Sequence, residues 1–113
     1  MHRVLVLGAG KIGALISGLL ADAGGYEVEL ADVNAETARA VARAHGRKNL
    51  VAHGLDAADP AALARHVAGH PVDAVISSLP YYCNPGVAGV AREAGLHYFD
   101  LTEDVEVTRA VRA

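Results

Sequence analysis

The chain has 113 residues, a net charge of −3 and a hydrophobic fraction of 52%. This length predicts a single domain with its own core, and the slightly acidic balance excludes the basic face of a nucleic-acid-binding protein. A membrane partner and a disulfide framework are also excluded, because no apolar run reaches roughly 20 residues and Cys83 is the only cysteine. With no recognisable targeting segment, we expect a cytoplasmic protein.

The start of the chain predicts a strand, a glycine-rich turn, a helix and a second strand. Residues 3–7 form a short apolar run typical of a buried strand, and the motif Gly8-Ala9-Gly10-Lys11-Ile12-Gly13 follows it. A helix that ends at Gly24 comes next, and its apolar face is expected to consist of Ile12, Leu15, Ile16, Leu19, Leu20 and Ala23. Residues 27–31 predict the second strand, which ends at Asp32.

The remainder of the chain continues this alternation. Further helices, each with a polar cap and a glycine near its end, are predicted over residues 34–46, 59–69 and 84–95, with Asn34, Asp59 and Asn84 as caps. Further strands are predicted over residues 49–53, 72–77 and 97–101, and a last helix is predicted to begin between residues 102 and 104.

Such alternation is typical of a parallel sheet with helices on both faces. Right-handed crossovers and a switch point at the first strand predict the strand order 3-2-1-4-5. The expected fold is therefore α/β: a Rossmann-type doubly wound parallel sheet of five strands, occupying residues 1–113.

The glycine motif predicts a dinucleotide-binding turn. Gly8 permits the tight turn, Gly10 lets a pyrophosphate approach the backbone, and Gly13 lets the helix pack closely on the strand. The backbone N–H groups of Lys11 and Ile12, at the positive end of the helix, are the expected phosphate donors. The alternative is an ordinary glycine-rich turn, but its place between strand and helix favours cofactor binding.

Acidic residues after the second and third strands are the candidate contacts for the adenosine half. Asp32 is expected to accept hydrogen bonds from the ribose hydroxyls, with Val33 beside it. A 2′-phosphate would face the Asp32 charge, and no arginine follows to hold it, so we predict NAD rather than NADP. Asp56 is a candidate acceptor for the adenine amino group; a local cap is the equally supported alternative.

The segment after the fourth strand is predicted to line the nicotinamide half, through Ser78, Leu79 and Pro80. Tyr81 and Tyr82 are expected to pack a loop or an interface, and Cys83 is expected to be structural because no base partner is evident. His66 and His70 stand four residues apart, but no third ligand is recognisable from the spacing. We therefore predict no metal site and assign no catalytic residue.

Two blocks carry a family resemblance: Ser77-Ser78-Leu79-Pro80-Tyr81, and residues 94–102, which read AGLHYFDLT. Together with the glycine motif they resemble the N-terminal nucleotide-binding domain of the saccharopine dehydrogenase family, in particular its bacterial saccharopine/lysine dehydrogenase-like members. The resemblance implies an oxidoreductase of lysine metabolism that acts on a C–N bond of an amino acid or polyamine. Some members that use NADP carry Ser-Arg-like residues where this chain has Asp32-Val33, which favours NAD here.

The same resemblance implies a second domain that completes the substrate pocket. The chain is then expected to be an N-terminal fragment that is inactive alone, with its acid–base residues beyond Ala113; association as a homodimer is left open. Residues 1–60 also resemble the non-catalytic NAD-sensing domains of potassium transporters and channels. The two blocks quoted above favour the enzyme.

Overall fold

Strands and helices alternate along residues 2–100, which are the residues that this computed structural model describes. The strands are β1 (His2–Leu7), β2 (Tyr26–Asp32), β3 (Leu50–Gly54), β4 (Ala74–Ser77) and β5 (His97–Asp100). The helices are α1 (Lys11–Ala23), α2 (Ala35–His45), α3 (Pro60–Gly69) and α4 (Asn84–Ala94), with a short 3₁₀ turn at Tyr81–Cys83. The end of the predicted fifth strand and the predicted last helix lie outside the described residues.

The strands form a parallel sheet in the order β3-β2-β1-β4-β5, which confirms the predicted Rossmann-type topology. Leu7, the last residue of β1, pairs with Ala31 of β2 and with Ser77 of β4. The residues that follow these three therefore leave the sheet side by side. Because the connections reverse direction at β1, a crevice opens at this carboxyl edge, which is where such sheets bind ligands.

Apolar clusters cover both faces of the sheet. One joins the sheet to α3 and α4 and includes Leu5, Leu7, Leu63, Val67, Val75, Val87 and Val90; the other joins it to α1 and α2 and includes Val4, Val6, Val28, Leu30, Ala38 and Leu50. The central strand β1 is fully buried at Leu5, Val6 and Leu7, as a strand covered on both faces requires. Within residues 2–100, no helix is long and apolar enough to cross a membrane.

Two of the predicted helix caps are confirmed and the third is wrong. The Asn34 side chain accepts hydrogen bonds from two backbone N–H groups at the start of α2. The Asp59 side chain accepts one hydrogen bond, from the backbone N–H of Ala61 in α3. Asn84, in contrast, is the first residue inside α4 and caps nothing, since Cys83 occupies the N-cap without a side-chain bond. The Asn84 side chain points inward and accepts a 2.8 Å hydrogen bond from the Ser77 hydroxyl. A buried tertiary partner has replaced the local one.

The expected apolar face of α1 is also not the face that packs. The buried residues of this helix are small: Gly13, Ser17, Gly18 and Ala21. Three of the large residues that were expected to face the core, Ile12, Leu15 and Leu19, are 50–57% exposed. Small residues let the helix axis come close to the sheet and to neighbouring chain, and the large ones are displaced to the outer side.

Candidate functional site

Each of the three glycines in the turn after β1 is a glycine for a different structural reason. Gly8 has φ +95°, a conformation that side chains rarely adopt, and a Cβ atom there would lie 2.8 Å from Ser78 Oγ. A Cβ at Gly13 would overlap the carbonyl oxygen of Gly8. Gly10, with φ −71°, is different: a Cβ there would meet no described heavy atom within 4 Å. Gly8 and Gly13 are thus required by the fold, whereas Gly10 leaves the surface of the turn open.

The N-terminus of α1 has no side-chain cap. Gly10 is its N-cap residue and makes no side-chain hydrogen bond, whereas α2 and α3 are capped by carboxamide or carboxylate oxygens. The first turn of α1 also carries no acidic residue. Lys11 and Ile12 are both exposed. Their backbone N–H groups belong to the uncapped first turn and so form a site of positive potential for an anion, next to the open side of Gly10.

Asp32 lies between the glycine turn and the start of α2. Its Oδ2 accepts a 2.8 Å hydrogen bond from Ala9 N–H, and its Oδ1 accepts a 2.9 Å bond from Asn34 N–H. These bonds fix the half-buried carboxylate at the crevice and leave further lone pairs on each oxygen. Val33, the next residue, presents an apolar side chain that is 75% exposed. Asp32 therefore offers carboxylate oxygens that can accept hydrogen bonds from hydroxyl groups, beside the apolar side chain of Val33.

Asp56 is held in the neighbouring turn after β3. The turn is tied to β2 by a 2.9 Å bond from Leu55 N–H to the Asp32 carbonyl oxygen. Asp56 Oδ1 accepts from Ala58 N–H at 3.2 Å, and the side chain is exposed. The local capping contact anticipated as the alternative for Asp56 is therefore present.

Ser78 connects β4 to the glycine turn. Its hydroxyl lies 2.8 Å from the Leu7 carbonyl oxygen and 3.1 Å from that of Gly8, so it donates to the underside of the turn. Leu79 packs partly against the core, whereas Pro80 is exposed. The segment 78–80 therefore begins with Ser78, which supports the glycine turn. The segment reaches the surface at Pro80, on the β4 side of the crevice.

Family comparison agrees with this geometry. The family model described as the saccharopine dehydrogenase NADP binding domain matches residues 4–113. The chain belongs to this family. It is accordingly a nicotinamide-dinucleotide-binding domain, as the glycine turn predicted.

Solved structures place the saccharopine dehydrogenase-family domain among Rossmann folds. The apo L-Glu-forming saccharopine dehydrogenase of Saccharomyces cerevisiae is 27% identical, with a TM-score of 0.78 over 98% of this chain and 24% of that enzyme. The chain thus spans about a quarter of the yeast enzyme. A UDP-glucose-4-epimerase from Stenotrophomonas maltophila with bound NAD is 21% identical, with a TM-score of 0.67 over 85% of this chain and 35% of the epimerase. At 21% identity, the likeness to the epimerase supports only a shared fold.

Burial affects two reactive side chains of this saccharopine dehydrogenase-family domain, Cys83 and Tyr98. Burial raises the pKa of the Cys83 thiol, and the Asp56 charge raises it further, which supports a structural cysteine. Burial, with Asp100 beside it, also raises the pKa of the Tyr98 phenol well above its ordinary value. Tyr82 is 71% exposed, and the predicted packing of the Tyr81 side chain lies outside the described residues.

Sequence reasoning missed the buried polar pair behind this segment. Ser77 and Asn84 are each 1% exposed and hydrogen-bonded to each other, and Asn84 Nδ2 has no partner among residues 2–100. Asn-Pro reads as an ordinary helix start, so the local pattern contains no signal for this inward role. The pair fixes the chain direction between β4 and α4 in the saccharopine dehydrogenase-family domain.

Proposed function

We propose that this domain binds the cofactor of an oxidoreductase that acts on a C–N bond of an amino acid or polyamine. The observation that carries the cofactor part is the open side of Gly10, with an uncapped helix N-terminus on one side and the Asp32 carboxylate on the other. The substrate class follows from membership in the saccharopine dehydrogenase family. The match continues well past residue 60, where the resemblance to NAD-sensing domains stops, and this favours an enzyme over a sensor.

A nicotinamide dinucleotide supplies hydride transfer when it is bound, and the protein supplies binding and orientation. We assign pyrophosphate contacts to the glycine turn and to the backbone N–H groups of Lys11 and Ile12. Asp32 accepts from the adenosine ribose, with Val33 against the adenine and Asp56 near its amino group. Ser78, Leu79 and Pro80 border the nicotinamide half.

Asp32 is the reason to propose NAD for this chain, although the family description refers to NADP. Both carboxylate oxygens are fixed by backbone N–H donors, so the charge cannot swing away from an incoming 2′-phosphate. Like charges a few ångströms apart near a protein surface repel by several kcal/mol at most and about 1 kcal/mol in bulk water. The neighbouring Val33 and Asn34 supply no compensating cation.

Cofactor preference gives a direct test. We expect the 113-residue chain to bind NADH at least about 10-fold more tightly than NADPH, which corresponds to about 1.4 kcal/mol. Asp32→Ala should bring the two dissociation constants to within about threefold, since the repulsion and the ribose acceptor are lost together. Isothermal titration with both cofactors measures the ratio, which is insensitive to the fraction of folded protein because both ligands bind the same folded state.

A matched control is Glu93→Ala, which removes one negative charge from an exposed position on α4. It should leave the ratio of the two dissociation constants unchanged. Equal or tighter binding of NADPH by the unchanged chain would contradict the role proposed for Asp32.

The domain alone should not perform the reaction. Because the chain spans about a quarter of the yeast enzyme, we propose that the substrate pocket and the acid–base groups are supplied by further chain. The raised pKa values of Cys83 and Tyr98 agree with this, since burial makes each group harder to ionise than it is in water.

For the 113-residue chain we expect no turnover above background with lysine, saccharopine, related amino acids or polyamines. The measurement follows NADH absorbance, with cofactor binding checked in the same samples so that loss of the cofactor site is distinguished from lack of catalytic groups. Turnover by this chain would place the acid–base groups among its own residues, with Tyr82 and His97 the first to be replaced.

A further inference from the structure

A cluster of metal-ligand side chains lies on the α3 face of the sheet. Glu29 of β2, His53 of β3 and His66 of α3 each offer one ligand atom, and these three atoms lie within 4.8 Å of one another. His66 Nε2 is 3.2 Å from Glu29 Oε2, and His53 Nε2 is 3.9 Å from Glu29 Oε1. The three donors come from separate elements, so the tertiary fold brings them together.

The position of Glu29 is unusual for its face of the sheet. Strand alternation puts it on the same face as Ala31, and that face otherwise packs apolar residues such as Leu5 and Val75 against α3 and α4. The Glu29 side chain is only 19% exposed, and that of His66 only 9%. Burying a carboxylate costs free energy unless it is paired or coordinates a metal ion, so its surroundings require an explanation.

We propose that Glu29, His53 and His66 bind a divalent transition metal ion of the zinc class, with a fourth position left to solvent. Two imidazole nitrogens and one carboxylate oxygen are a donor set that zinc accepts, and imidazole disfavours magnesium and calcium. Ligand atoms around tetrahedral zinc stand about 3.3 Å apart at the usual bond lengths. The His66 Nε2–Glu29 Oε2 separation of 3.2 Å matches this value, and the 4.8 Å limit on the separations of the three ligand atoms requires His53 to move closer when an ion binds.

A surface hollow and a third histidine border the cluster. A surface hollow of about 350 Å³ lies beside Glu29, and its lining also includes Val51, Arg3 and Lys48. The ring of His70 stacks on that of His66, with centroids 4.4 Å apart, and holds its plane. His70 Nδ1 is 3.2 Å from the His66 carbonyl oxygen and its ring centroid is 5.1 Å from that of His53, so this histidine borders the cluster, whose converging ligand atoms belong to Glu29, His53 and His66.

None of the three residues is among those assigned to the cofactor, and we expect the ion to act on the fold. Glu29 precedes Asp32 by three residues in an extended strand, about 10 Å below the crevice edge, whereas His53 pairs with Ala31 and lies one residue from that edge. A bound ion links α3 to β2 and to β3, and β3 is an edge strand that pairs on one side only within the described sheet. We therefore expect the ion to stabilise this edge without changing NADH affinity.

Zinc titration of the 113-residue chain tests the proposal. We expect one Zn²⁺ per chain in calorimetry with zinc chloride, and none of comparable affinity with Mg²⁺. Glu29→Gln, His53→Gln and His66→Gln should each weaken zinc binding at least about 100-fold, beyond the 10–100-fold that loss of an outer-shell partner causes. Saturating zinc should raise the unfolding midpoint by roughly 10 °C, and these variants should lose the shift.

The matched control is His97→Gln, which removes an exposed histidine at the start of β5 and should bind zinc like the unchanged chain. X-ray absorption of the zinc-loaded chain should show two imidazoles and an oxygen donor, a readout that does not depend on any variant folding. Failure of the unchanged chain to bind zinc, or equal loss in the control, would overturn the proposal. Glu29 would then be a carboxylate hydrogen-bonded by His66 alone among the described residues.

Discussion

Replacing Gly10 with valine is expected to abolish dinucleotide binding while leaving the fold intact. The backbone at Gly10 has φ −71°, which valine adopts, and its Cβ would meet no described atom within 4 Å. The added methyl groups would instead occupy the space through which a pyrophosphate reaches the N-terminus of α1. We expect the dissociation constant for NADH to rise at least about 100-fold, which corresponds to about 2.7 kcal/mol.

The measurement is isothermal titration with NADH, accompanied by thermal unfolding of the same preparation. The unfolding free energy should change by about 1 kcal/mol or less, because only an uncapped helix start is altered. Gly89→Val is the matched control: it makes the same replacement at an unobstructed position in α4 and should leave NADH affinity unchanged. Undiminished NADH binding by a folded Gly10→Val chain would show that the pyrophosphate does not cross this turn.

Gly13→Ala should mainly lower the stability of the fold, in contrast to Gly10→Val, which should mainly weaken NADH binding. Its Cβ would overlap the carbonyl oxygen of Gly8 and would also lie 2.7 Å from Ser78 Oγ. The obstacle is backbone, which cannot rotate aside, so α1 must move away from β1. We expect a loss of about 3 kcal/mol or more in unfolding free energy, and an unfolding midpoint lowered by roughly 10–20 °C.

Urea or thermal unfolding measures this loss, and Gly89→Ala provides the comparison. A Cβ at Gly89 meets no described atom within 4 Å, so alanine there should raise stability by about 0.5–1 kcal/mol through helix propensity. A Gly13→Ala chain as stable as the unchanged one would mean that α1 does not pack on the Gly8 carbonyl. The opposite behaviour of Gly10 and Gly13 would separate the binding glycine from the packing glycine.

Alternation of strands and helices, and the placement of the glycine turn, were readable from the sequence. Both depend on local patterns: apolar runs, helical spacing and glycines between them. The strand order followed as well, because right-handed crossovers leave few arrangements for such a pattern. Asp32 and Ser78 were expected at the cofactor edge, and both lie at the carboxyl ends of strands that pair with β1, since the ends of adjacent parallel strands share an edge.

Helix caps show where local pattern is insufficient. Asn34 and Asn84 both precede or begin a helix and look alike in sequence, yet Asn34 caps α2 whereas Asn84 turns inward to Ser77. The difference lies in a partner seven residues away on β4, which no local rule includes. The inward position gives the buried Ser77 hydroxyl an acceptor, and an unpaired buried hydroxyl costs more than an uncapped helix start that water can reach.

The packing of α1 and the histidine cluster both depend on contacts between elements that are distant in sequence. Spacing alone favoured the large apolar residues as the buried face, but the closeness of the helix to the sheet selected small residues such as Gly13 and Ala21. Spacing likewise showed only the pair His66 and His70 and predicted no metal site, whereas the fold also brings His53 and Glu29 to His66. The sequence by itself determined the fold class and the cofactor turn, because these follow from short-range periodicity. Only the tertiary structure decided which side chains meet across elements, because those contacts depend on distances that sequence separation does not contain.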